Sequence, residues 1–211
     1  MVGMRPEQIE ALSFSIIDRE AGAHGFPADQ WRIVQRMIHT SADFDYLQSV
    51  RFHPRAMEAG VAAIRSGCTI VTDTHMARAG IRKTELEHFG ASVTCLIGDP
   101  DVRQQAAQSG STRARAAVDA ALDDMAGGIF VVGNAPTALL RLLELVRAGT
   151  AHPALVVGLP VGFVNAAESK AALVQTDIPY ISNVGRKGGS NVAARVVNAL
   201  AILALEGDLE A

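Results

Sequence analysis

Ile129-Phe130-Val131-Val132-Gly133-Asn134-Ala135-Pro136-Thr137 is the stretch whose reading decides the fold. Four β-branched or aromatic residues in a row leave no polar side for water, so the strand they form must be covered on both faces. Gly133 and Asn134 end that strand, and Pro136 suits the first turn of a helix, where its missing N–H costs nothing. A strand that runs straight into a helix is the repeating unit of a parallel sheet. Similar runs lie at Cys68–Thr72, Ser92–Ile97, Ala154–Leu159 and Pro179–Val184, each followed by helix-compatible sequence. The expected fold class is α/β, a five-stranded parallel sheet with helices on both faces.

The helices between strands are expected near Arg78–Glu85, Val102–Gln108, Thr112–Met125, Pro136–Ala148 and Ala166–Leu173, with a last one from Ser190 to Leu205. Extra helices precede the sheet. Pro6 to Asp18 carries Ile9, Leu12, Phe14, Ile16 and Ile17 at helical spacing. Asp29 can cap a second helix, whose stripe of Trp31, Val34, Met37 and Ile38 ends at His39. Pro54 opens a third, closed at Gly67.

A chain of 211 residues, 49% of them hydrophobic and 5% aromatic, suits a single domain over 1–211 built of helices packed on buried strands. A net charge of −3 supplies no general field for nucleic acid, so an anionic ligand would need local groups. No apolar run is long enough to span a bilayer and no leader pattern opens the chain, so a cytoplasmic protein without membrane or nucleic-acid partners is expected. Cys68 and Cys95 sit in strand-like runs without companion ligands and read as buried free thiols, not as a disulfide or zinc pair.

In parallel sheets of this kind, ligands bind beyond the carboxyl ends of the strands, where the strand order reverses. That rule singles out the segments Asp73–Met76, Gly98–Pro100, Gly133–Thr137, Gly158–Gly162 and Gly185–Ser190. Backbone N–H groups of Gly133–Thr137 would favour an anion or carbonyl-rich ligand, although Asn134 as an ordinary N-cap explains the same residues. In Gly185–Ser190, Arg186 and Lys187 supply charge while Gly188 and Gly189 let a ligand approach the backbone, with solvated loop charge as the rival reading. Neither loop has the spacing of a P-loop or a dinucleotide fingerprint. Arg113 gains nothing from the dipole of the helix it begins, which favours a ligand carboxylate as its partner. Glu168 reads as a dipole partner and Lys170 as a solvated side chain, neither with a proton-transfer role. Asp73 and His75 lack a third ligand, so no metal is expected. His39, ending an apolar helix before a polar turn, is the candidate for proton exchange near neutral pH.

Taken together, Met37-Ile38-His39, Thr72-Asp73-Thr74, Gly133 to Leu139, Pro160 to Val164 with Ala166 to Lys170, and Gly185 to Ser190 resemble precorrin-8X methylmutase, the precorrin isomerase family of cobalamin biosynthesis. The resemblance spans about Ser13 to Leu200; Asn165 departs from it, where glycine is usual. It implies a three-layer flavodoxin-like fold with sheet order 2-1-3-4-5, a homodimer and no organic cofactor. It implies an isomerase that moves a methyl group from carbon 11 to carbon 12 of precorrin-8X or cobalt-precorrin-8. His39 is then the catalytic histidine, acting on a ring nitrogen, and Ser13 and Arg113 are substrate contacts. The macrocycle's carboxylates would account for Arg113, Arg186 and Lys187, and backbone or side-chain donors at Asn134, Thr137, Gly188, Gly189 and Ser190 would complete its site. Handing the product to the next enzyme is a further implied partnership. Two other readings stay open: a tetrapyrrole carrier without turnover, and a nucleotide- or phosphate-binding α/β protein suggested by the glycine-rich loops alone.

Overall fold

The computed structural model describes residues 4–209; residues 1–3 and 210–211, the ends of the domain expected over 1–211, lie outside the described residues. In chain order the elements are α1 (Pro6–Ala21), α2 (Ala28–Ser41), α3 (Tyr46–Ser49), β1 (Val50–Phe52), α4 (Ala56–Arg65), β2 (Thr69–Thr72), α5 (His75–Gly80), α6 (Thr84–Glu87) and β3 (Ser92–Thr94). There follow α7 (Pro100–Ser109), α8 (Arg113–Ala120), α9 (Leu122–Met125), β4 (Ile129–Val132), α10 (Pro136–Arg147), β5 (Leu155–Gly158), α11 (Ala166–Val174), β6 (Tyr180–Asn183) and α12 (Ser190–Leu209).

The strands form one mixed sheet in the order β1-β6-β5-β4-β2-β3. Five of them run parallel, and β1 joins antiparallel at the edge with Val50 opposite Asn183 and Phe52 opposite Ile181. The sheet is thus six-stranded, not five-stranded as expected. Val50–Phe52 has no periodicity of its own to read: it is three residues long, and its one ladder partner lies far along the chain.

Alternation along the strands sorts the core into two layers. Ile129 and Val131 of β4 face one side with Ile70, Val157 and Ile181, where α2, α4 and α12 supply Ile33, Met37, Ile64 and Leu200. Phe130 and Val132 face the other with Val71 and Val156, covered by Val118 of α8, Leu139 and Leu142 of α10 and Leu173 of α11. Every residue of β4 is buried, as a strand covered on both faces requires.

Several expected boundaries shift. The run read as one helix over Arg78–Glu85 is two short ones, α5 and α6, separated at Ile81–Lys83, and Thr112–Met125 divides into α8 and α9. Pro27, not Asp29, occupies the N-cap of α2; Asp29 lies within its first turn. Ala135, not Asn134, is the N-cap of α10. Cys68 and Cys95 are free, as read, but only half-buried.

Candidate active site

The loops after β2 and β4 leave the sheet toward opposite layers, since α5 packs on α12 while α10 packs on α8 and α11. That reversal is the switch point where a ligand crevice is expected. Asp73, one residue past β2 and 4% exposed, fills its base. Its carboxylate accepts the backbone N–H groups of Gly133 (2.9 Å), Asn134 (2.8 Å) and Ala135 (2.7 Å). The anion expected at the start of α10 is therefore the protein's own: the Gly133–Ala135 donors hold Asp73, and they are not free for a substrate carboxylate. Burial pushes the Asp73 carboxyl up, against the three donors that hold it down.

Around this base the strand-end loops close on one another. Thr74 caps α5 through Ala77 N–H, and its hydroxyl lies 2.8 Å from that of Ser190 at the start of α12. Gly133 sits so close to α12 that a Cβ would meet Ser190 Cα at 2.5 Å, which explains the glycine by packing. Thr112 donates to Thr137 (3.3 Å), placing the start of α8, and with it exposed Arg113, beside the start of α10. Its near neighbour Arg115 is taken by Glu144 (2.9 Å) and belongs to a surface network with Arg141, leaving Arg113 as the guanidinium of that pair without a partner among the described residues.

His39 lies in the last turn of α2, half-exposed, with its ring edge-on to Phe14 of α1 at 5.1 Å. Neither of its ring nitrogens is engaged in a hydrogen bond among the described residues, so both are available to a ligand. The guanidinium of Arg36, one turn earlier, lies 5.0 Å from the centre of the same Phe14 ring. Ser13 precedes Phe14, but its hydroxyl donates to Ile9 C=O at 2.8 Å, as hydroxyls inside helices commonly do.

The turn after His39 and the β6–α12 loop are tied together by charge. Lys187 Nζ donates to Asp43 (2.6 Å) and Asp45 (2.5 Å), which lowers the Asp43 carboxyl and raises the lysine. Arg186 stacks over Phe163 at 5.4 Å, and its carbonyl accepts Gly162 N–H. Phe163 and Val164 are 84% and 78% exposed, an apolar rim on the same end of the sheet. Gly188 lies against β5 so closely that a Cβ would meet Leu159 C=O at 2.2 Å.

The structure therefore places Thr137, Arg113, Gly133 and Ser190 around the starts of α8, α10 and α12, and ties Lys187 to Asp43 and Asp45 in the turn that follows His39; His39 contacts Phe14, and Ser13 bonds within its own helix. Sequence reasoning missed two contributors. Asp73 was weighed only as a metal ligand, although an acid at a strand end facing a Gly-Asn-Ala turn is a capping signal. Lys170 is not a solvated side chain: it is 1% exposed, and its Nζ donates to Asn183 (3.0 Å) and to Lys187 C=O (2.6 Å). Its signal was a lone cation in a helix of small residues facing a strand that ends in Asn183. A cleft of about 450 Å³, lined by Lys170, Asn183, Arg51 and Val174, opens behind that loop. Among the described residues no group of three His, Cys, Asp or Glu side chains is placed to hold a metal ion, and no helix is long and apolar enough to cross a membrane.

The sequence profile of the precorrin-8X methylmutase family matches residues 8–203. The cobalt-precorrin-8 methylmutase of Priestia megaterium is 48% identical over 97% of this chain and 91% of its own. The precorrin-8X methylmutase of Pseudomonas aeruginosa is 41% identical over 92% of this chain and 94% of its own. Among solved structures, the precorrin-8X methyl mutase of Thermus thermophilus superposes with a TM-score of 0.89 at 46% identity, covering 95% of this chain and 97% of that one.

Proposed function

This chain belongs to the precorrin-8X methylmutase family, and on that footing we propose that it carries out the family's reaction. It is an isomerase of cobalamin biosynthesis, moving a methyl group from carbon 11 to carbon 12 of precorrin-8X or cobalt-precorrin-8 to give hydrogenobyrinate or cobyrinate. One carbon–carbon bond breaks as another forms within the same macrocycle, so no atom or electron is gained or lost. The observation that carries this reading is the near-full-length match in both sequence and backbone.

In the proposed mechanism His39 donates a proton or a hydrogen bond to the nitrogen of the methyl-bearing ring. Electron density drawn toward that nitrogen lowers the barrier to the shift, an acid-type and electrostatic contribution with no covalent intermediate. The unengaged ring nitrogens of His39 support this role, as does the Phe14 ring beside them, a flat apolar surface suited to a macrocycle. Arg113 and Arg186 are the proposed partners of peripheral carboxylates, with Ser13, Asn134, Thr137, Gly188, Gly189 and Ser190 as polar contacts. Lys187 joins them once a substrate carboxylate displaces Asp43 or Asp45. Asn134 enters through its exposed side chain, because its N–H is held by Asp73.

The same reading includes a single flavodoxin-like domain over 1–211, for which the parallel order β3-β2-β4-β5-β6 is the support, and a homodimer, for which the exposed Phe163, Val164 and Val184 offer apolar surface. Transfer of the product to the next enzyme of the pathway is its last element. The test is an absorbance time course with precorrin-8X and with its cobalt form. Catalytic conversion is expected; a stoichiometric spectral shift without turnover would make the chain a tetrapyrrole carrier instead.

A further inference from the structure

Lys170 is the long cation of a helix otherwise rich in alanine, and it is almost fully buried without a carboxylate partner among the described residues. Two oxygens answer its ammonium: Asn183 Oδ1 and the carbonyl of Lys187. The Asn183 amide donates to that same carbonyl at 3.0 Å and to Val184 C=O at 3.3 Å, so two side chains converge on one backbone oxygen. Burial alone lowers the amine to about 8. A buried charge of this kind is weak support for a fold, since the cost of desolvating the ammonium offsets what its hydrogen bonds return. What it does hold is a place in the chain. Lys187 C=O immediately precedes Gly188, which lies against Leu159, and Gly189, whose N–H donates to Leu159 C=O at 2.9 Å before α12 begins at Ser190. The side chain of the same Lys187 reaches forward to Asp43 and Asp45, beyond His39.

We propose that Lys170, together with Asn183, is a positioning residue for the substrate: it pins the Lys187 carbonyl from behind, so that Gly188 to Ser190 and the Lys187 ammonium keep one geometry toward a carboxylate of the macrocycle. This rests on the reading of Gly185–Ser190 as a substrate loop. The loop is held from within the protein, and His39 is held separately on α2.

The experiment uses the full-length protein and its Lys170→Met variant, with two independent readouts. Hydrogen exchange by mass spectrometry over residues 184–190 needs no substrate, and steady-state kinetics on precorrin-8X reports its use. Lys170→Met is expected to melt no lower than wild type, to exchange faster in that segment alone, and to raise KM about tenfold, the effect of losing one charge-assisted hydrogen bond. Its kcat should stay within about threefold, because the group proposed to act in the transition state is untouched. Unchanged exchange would overturn the clamp itself. Faster exchange with an unchanged KM would overturn the substrate role of the loop and leave the clamp as architecture. Should Lys170→Met fail to fold, Lys170→Gln, uncharged and one bond short of the Lys187 carbonyl, is read in the same two assays with the same expectations.

Discussion

Replacing Asp73 by alanine removes two acceptor oxygens, and with them three hydrogen bonds, from the turn that leads into α10, and its cost can be worked from the contacts. The side chain orders the Gly133–Ala135 turn that leads into α10, and those hydrogen bonds are worth about 1 kcal/mol net. Asn134 is exposed, and water can replace the acceptor its N–H loses. Gly133 is buried, so its N–H is stranded at a further cost of about 1–3 kcal/mol. Removing a buried carboxylate offsets part of this, leaving a net loss of about 2–3 kcal/mol. For a chain of this length each kcal/mol moves the midpoint by roughly 2–4 °C, so Tm should fall by roughly 4–12 °C in a calorimetric melt. Asp73→Asn, which keeps one oxygen but turns an amide toward the donors, should fall between the two proteins. Formate supplies a carboxylate without the tether, and at ten times its dissociation constant it should restore about 1.4 kcal/mol to the alanine variant. Wild type should show no matching gain. A midpoint for Asp73→Ala within about 2 °C of wild type, or formate effects equal in both proteins, would refute the assignment of Asp73 as the anion that holds the Gly133–Ala135 turn.

Other outcomes follow from the same contacts. Because the Lys170 amine is lowered to about 8 from 10.5, the folded protein binds fewer protons than the unfolded chain between those values. Wild-type stability should therefore rise with pH across that window, by up to roughly 3 kcal/mol. Urea unfolding of wild type against Lys170→Met at pH 7 and pH 10 checks the sign: any advantage of the methionine variant should shrink at the higher pH. Gly188→Ala places a methyl on the Leu159 carbonyl, so it should displace the β6–α12 loop and raise KM for precorrin-8X while far-ultraviolet circular dichroism stays native. Unaltered kinetics would show that this loop can move without consequence.

The fold was legible where one feature dominated a long enough run. β4 and β5 are the clearest, because burial on both faces leaves them apolar from end to end, while β2, β3 and β6 are marked by shorter β-branched or aromatic runs between helix-compatible segments. The edge strand Val50–Phe52 was not legible, since three residues with one ladder neighbour carry no period and depend on Asn183 to Ile181 for their identity. The same distinction applies at the site. The glycine-rich turns could be placed at strand ends from sequence, because chain direction in a parallel sheet fixes which end the loops occupy. The partners of those turns could not. Asp73 meets Gly133 through the register of β2 on β4, and Lys170 meets Lys187 across α11 and β6, contacts that only the packed fold creates. Burial inverted the reading of Lys170 for the same reason: a side chain's solvent depends on what covers its helix.

The central claim is that His39 supplies the acid contribution to the methyl shift, and the most direct measurement compares wild type with His39→Ala in single-turnover conversion of precorrin-8X, followed by the change in the macrocycle's absorbance. The variant is expected to bind the macrocycle with an affinity near that of wild type and to convert it at least about a hundredfold more slowly, the usual scale of a positioned acid. Conversion by His39→Ala at the wild-type rate would contradict the account and return the imidazole to a role in packing against Phe14.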